Sequence, residues 1–173
     1  KLLIVGANDP MWRGSLASRE SIYLNTRLPL VSESGSSALV RELAQVSGRI
    51  NDKQRSDWIT EGFAEYYAIE LIRRAGGMSD ERYESLQRKL VKDSQKVTSL
   101  RGEQINPAQV SRAVVMLQEL DREIRLKTRN KRSLDDVLRG AMHLESVDTK
   151  DFVQLAGSVI GEPSKVLDTG LLQ

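Results

Sequence analysis

Apolar positions along this chain change their period near residue 36. Before it they come in two short runs, residues 2–5 (Leu-Leu-Ile-Val) and residues 21–24 (Ser-Ile-Tyr-Leu), each of strand length and set among Gly, Asn, Asp or Pro. These runs predict strands of a small sheet. After residue 36 the spacing turns helical. Leu39, Leu43 and Val46 fall on one face of a short first helix, with Gly48 suited to end it. Ile59, Phe63, Tyr66 and Tyr67 form the stripe of a second helix over residues 57–75, stopped by Gly76-Gly77.

Polar residues mark the remaining helix starts. Ser79 with Asp80 and Glu81 behind it caps a third helix running to about residue 93, its acids favouring the helix dipole. Asn106-Pro107 opens a fourth, with Val110, Val114, Leu117, Leu120 and Ile124 at helical spacing. Ser133 and Asp136 have the spacing of a capping box and open a fifth. A sixth covers residues 149–160, with Phe152, Leu155 and Val159 on one side. The expected fold is α+β and mostly helical: strands and loops over about residues 1–35, then a helical bundle over 36–173. At 173 residues a single domain is the default.

Composition narrows the chemistry. The 26 basic and 24 acidic residues nearly cancel, which argues against duplex nucleic acid or an anionic bilayer as a partner chosen by bulk charge. The basic run Arg122, Arg125, Lys127, Arg129, Lys131 and Arg132 has no interleaved aromatics and sits beside Glu123, Asp135 and Asp136, so it reads as a solvated helix end. There is no cysteine and one histidine, His143, which rules out a thiolate or His-rich zinc site within this polypeptide. No apolar run reaches the roughly 18 to 20 residues of a membrane span. The chain opens on an apolar run without Met, which suggests a trimmed or processed chain with more sequence upstream.

The most informative stretch is Val40-Arg41-Glu42-Leu43-Ala44-Gln45, followed by Trp58-Ile59-Thr60-Glu61-Gly62-Phe63-Ala64-Glu65-Tyr66-Tyr67. The pair resembles the site of gluzincin zinc peptidases, the clan of thermolysin, aminopeptidase N and the glycyl aminopeptidases. There, one helix carries His-Glu-x-x-His and a facing helix carries a glutamate ligand, often in Glu-Gly-Phe followed by Ala and aromatics. Residues i and i+4 share a helix face, so two imidazoles converge on one metal while the adjacent glutamate reaches the bound water. Residues 27–39 look like the strand and loop leading into the first zinc helix, and residues 120–125 with 131–137 look similar to the segment after the active site of glycyl aminopeptidase relatives. The resemblance implies a zincin-like fold, zinc in active relatives, and a periplasmic or envelope location.

Two departures decide the expected function. Arg41 stands where the clan has its first zinc histidine and Gln45 where it has the second, while Glu42 (general base) and Glu61 (third ligand) are retained. A guanidinium has no lone pair to offer and an amide oxygen is a poor substitute for imidazole. No tyrosine follows Tyr83, although relatives commonly place an oxyanion-stabilising tyrosine near the equivalent of residues 109–113; one such donor is worth about 3–4 kcal/mol. The resemblance therefore implies an inactive peptidase-like domain with no metal expected, a relic Glu42, and a peptide-binding or structural role. Arg41 is expected to replace the metal by pairing with Glu42 and Glu61.

Blander readings stand beside these. Tyr66 and Tyr67 read as core, with a cleft role for Tyr66 as the alternative. Glu65, one turn after Glu61, reads equally as a group supporting the site or as a solvated charge. His143 reads as a surface or capping residue. Ser34-Gly35-Ser36 lacks the flanking glycines of a nucleophile elbow. The runner-up functions are an active peptidase whose site His143 or another chain completes, and a purely structural domain of a larger protein.

Overall fold

The computed structural model describes residues 1–33 and 35–173; Ser34, with its share of the 27–39 and 34–36 segments, lies outside the described residues. The chain is a mixed α+β protein. Among the described residues, strands β1 (Leu3–Ala7), β2 (Ser15–Ala17) and β3 (Ser21–Asn25) precede helices α1 (Ala38–Gly48), α2 (Asp57–Arg74), α3 (Asp80–Ser94), α4 (Pro107–Lys127), α5 (Leu134–Met142) and α6 (Thr149–Ile160). None of these helices is long and apolar enough to cross a membrane.

The helix starts follow the expected side-chain chemistry. Ser79 Oγ accepts from the Arg82 N–H, and Asn106 with Gln109, and Ser133 with Asp136, form capping boxes. A third box, Asp148 with Asp151, opens α6. At the end of α1 the outcome differs from the sequence reading: Gly48 is the last helical residue and Arg49 takes the left-handed conformation, φ 47°, donating its N–H to Gln45 O. The turn is closed by a residue that carries a Cβ, at a small conformational cost.

The chain forms two compact units, one of residues 1–49 and 64–89 and the other of 50–63 and 90–173. In the first, the sheet has the order β1-β3-β2, with β3 parallel to β1 and antiparallel to β2. Helix α1 packs on β2 and β3. Asn25, at the end of β3, is buried; its amide donates to Asp9 O and Trp12 O and its Oδ1 accepts from the Arg27 N–H. One satisfied side chain thus holds the loop that turns the chain back into β2. Trp12 lies over Tyr23 with ring centroids 5.2 Å apart.

In the second unit α4 is the core element. Residues 113–117 are all buried, as are Leu120 and Ile124, and α5 and α6 pack on this helix. The first turns of α2 belong here: Trp58 meets Phe152 edge-on at 5.0 Å, and Phe63 meets the same ring at 5.8 Å. Gly62 lets the two helices close, since a Cβ there would sit 3.0 Å from Ala113 Cβ and 3.2 Å from Leu117 Cδ1.

A polar knot fixes the entry to α2. The chain pairs Lys53 N–H to Val147 O and Val147 N–H to Asn51 O. Trp58 Nε1 donates to Thr149 Oγ1 at 3.0 Å, Ser56 Oγ lies 3.3 Å from the same oxygen, and the Thr149 N–H donates to Ser56 Oγ. Trp58 is fully buried, so its indole N–H has no water to fall back on. Thr149→Val keeps the shape and removes the acceptor; a loss of about 1–3 kcal/mol in urea unfolding is expected.

Candidate functional site

The site built by the first unit starts from a buried carboxylate. On α1 the apolar stripe expected from Leu39, Leu43 and Val46 is only half-buried, and the one fully buried residue is Glu42, 2% exposed. The helix presents its charged residue to the sheet because β2 offers it a donor: Ser15 Oγ donates to Glu42 Oε1 at 2.7 Å. Arg41 Nη1 lies 3.4 Å from the same oxygen, and Arg41 Nε lies 3.5 Å from Glu65 Oε2 on α2. Only about a quarter of the Arg41 side chain is exposed.

Arg41 therefore turns inward onto carboxylates: it pairs with Glu42, one of the two partners expected of it, and with Glu65 on α2, which the sequence reading did not name as a partner. Glu61 lies one turn earlier on that helix, half-buried, within the second unit. Gln45 is half-buried one turn beyond Arg41. Of the two readings of Glu65, the solvated one does not hold, because its side chain is 19% exposed and faces the guanidinium. Tyr66 is buried and meets Tyr67 edge-on at 5.1 Å, which is how a core pair packs. His143 is exposed and caps the C-terminus of α5.

Zinc does not fit this donor set. A guanidinium carries positive charge and has no lone pair, and Arg41 directs its N–H groups at Glu42 and Glu65. Among the described residues no three His, Asp or Glu side chains are grouped so as to hold a metal ion.

Beside this cluster runs the free edge of β2. The Asn25 N–H donates to Gly14 O and the Ser18 N–H to Ser21 O, so Gly14, Leu16 and Ser18 use their backbone on β3. By the alternation of an antiparallel ladder, Ser15 and Ala17 direct N–H and C=O outward. Sequence reasoning missed both β2 and Ser15. A three-residue strand is too short to show a period, and a lone serine carries no signal of what lies across from it.

Comparison with protein-family models, with characterised proteins and with solved structures gives no match, so any functional reading rests on this chain's own residues.

Burial raises the Glu65 carboxyl above its ordinary value of 4.5, and the Arg41 charge opposes the rise. A carboxyl raised in the folded state holds its proton more tightly there. Its contribution is favourable at low pH and is lost as pH climbs through the folded-state value. Glu65→Gln should therefore flatten the fall in stability as pH rises above 4.5, measured by denaturant unfolding at a series of pH values.

Proposed function

We propose that this chain is a peptidase-derived domain of gluzincin ancestry and zincin-like fold, without hydrolytic activity, that binds extended peptide or protein segments along the free edge of β2. The observation that carries the reading is the inward position of Arg41, paired with Glu42 and Glu65 where the clan pattern has a zinc ligand. A fixed guanidinium balances the carboxylates that a metal otherwise compensates, but it cannot lower the pKa of a water or polarise a scissile carbonyl as a Lewis acid. Glu42, the relic general base, is engaged by Ser15 and Arg41. Recognition without turnover follows from what remains. Outward N–H and C=O groups at Ser15 and Ala17 can add one strand of a peptide, with affinity from the main chain.

Ancestry has a direct test. Arg41→His combined with Gln45→His restores the His-Glu-x-x-His pattern on α1, and the folded double variant should hold about one zinc after dialysis, while the parent holds none. A folded double variant that takes up no zinc would overturn the ancestry.

Peptide binding has a separate one. Proline at an outward-facing edge position removes a donor without breaking the existing ladder. Amide shift changes on adding unstructured peptides should centre on Ser15 and Ala17 in the parent and vanish in Ala17→Pro. Unchanged spectra in the parent would instead leave the domain a purely structural one.

A further inference from the structure

The opposite edge of the sheet carries an unused strand. β1 reads Leu-Ile-Val-Gly-Ala and lies at the sheet margin, yet Leu3 is 61% exposed, Ile4 49% and Val5 42%, so apolar side chains on both of its faces meet solvent. A continuous apolar run of this kind is the signature of a strand covered on both sides, not of an edge. Edges of soluble sheets are normally guarded by charge, proline or a bulge, and residues 2–8 contain neither charge nor proline.

The hydrogen bonds show which groups are free. The Leu3 N–H donates to Glu20 O, and Ala7 O accepts from the Thr26 N–H, so Leu3, Val5 and Ala7 use their backbone groups on β3. Leu2, Ile4, Gly6 and Asn8 direct theirs outward.

We propose that β1 pairs antiparallel with β1 of a second copy of this chain, making one six-stranded sheet across a two-fold axis at Val5. Three observations select this occupant and register. An isologous contact requires a self-complementary strand, and residues 2–8 oppose no like charges in any register. Antiparallel pairing must match outward residues with outward residues, which Ile4 with Gly6 and Leu2 with Asn8 satisfy. In that register Val5 meets Val5 and Leu3 meets Ala7, and beyond the strand ends Lys1 comes on the side of Asp9, whose Oδ1 also accepts from the Met11 N–H, so the flanks carry opposite charges. A pairing of two five-residue strands is a small interface, so the dimer is expected to be weak and concentration-dependent.

The chain has no cysteine, so a single introduced thiol reports the register cleanly. Val5→Cys places two thiols across a non-hydrogen-bonded pair, where Cα atoms lie about 4.5 Å apart, within disulfide reach. Ile4→Cys leaves its thiols two residues out of step and beyond reach. Under mild oxidation Val5→Cys should convert to covalent dimer at least ten-fold faster than Ile4→Cys. In sedimentation at about 100 µM the parent should run as a dimer and Ile4→Pro, which loses only an outward donor, as a monomer. Ala17→Pro, on the other edge, should remain dimeric, which separates this proposal from peptide binding at β2. A parent monomeric at all concentrations, crosslinking at Ile4 in place of Val5, or dimers that survive Ile4→Pro would each overturn it.

Discussion

Removing a carboxylate from water costs several kcal/mol unless hydrogen bonds and an opposite charge compensate it, and in the first unit that carboxylate is Glu42. Its helix buries no other residue fully, so α1 is docked by this polar group together with a half-buried apolar stripe. Ser15 brings β2 to one oxygen, and Arg41 links that oxygen to Glu65 on α2. Strand, helix and second helix are thus indexed to one ionic cluster. The second unit is organised in the opposite way, around the apolar face of α4 and the ring of Phe152, with the Ser56, Thr149 and Trp58 knot as a buried polar cluster beside it.

Exchanging imidazole for guanidinium alters more than a charge. A metal ion is exchangeable, accepts a ligand in an open position, and activates it. A guanidinium is covalently part of the chain, points donors in one plane, and stays charged at every accessible pH. On the proposed reading the surroundings of Glu42 therefore become a fixed brace that holds β2, and through it a peptide-accepting edge, in place. Its neighbour Glu65 bears the cost of that arrangement, being pushed up by burial faster than one arginine pulls it down.

The sequence made the helices legible because their caps are written in side chains: Ser79, Asn106 and Ser133 each satisfy the N–H groups their positions implied. Core positions on α4 followed largely from period, and strands β1 and β3 from their short apolar runs; on α6 the stripe located Phe152, whereas Leu155 and Val159 are only half-buried and Ala156 takes the buried place. What stayed hidden were relations that depend on the third dimension. The half-exposure of Leu39, Leu43 and Val46 could not be seen, because an amphipathic pattern does not say which face a sheet will take when a buried donor such as Ser15 competes for it. Arg41 turning inward was legible from ligand chemistry, whereas its contact with Glu65 depends on how far a guanidinium reaches along a neighbouring helix.

The glycine of Glu61-Gly62-Phe63 has a mechanical role that owes nothing to catalysis. With Ala113 and Leu117 pressed against its missing side chain and Phe63 set on Phe152, the tripeptide is a spacer between helices. A helix–helix gap of one hydrogen atom's width constrains sequence whether or not any bond is ever cleaved nearby. Packing of this kind holds a sequence block in place whatever chemistry the chain performs.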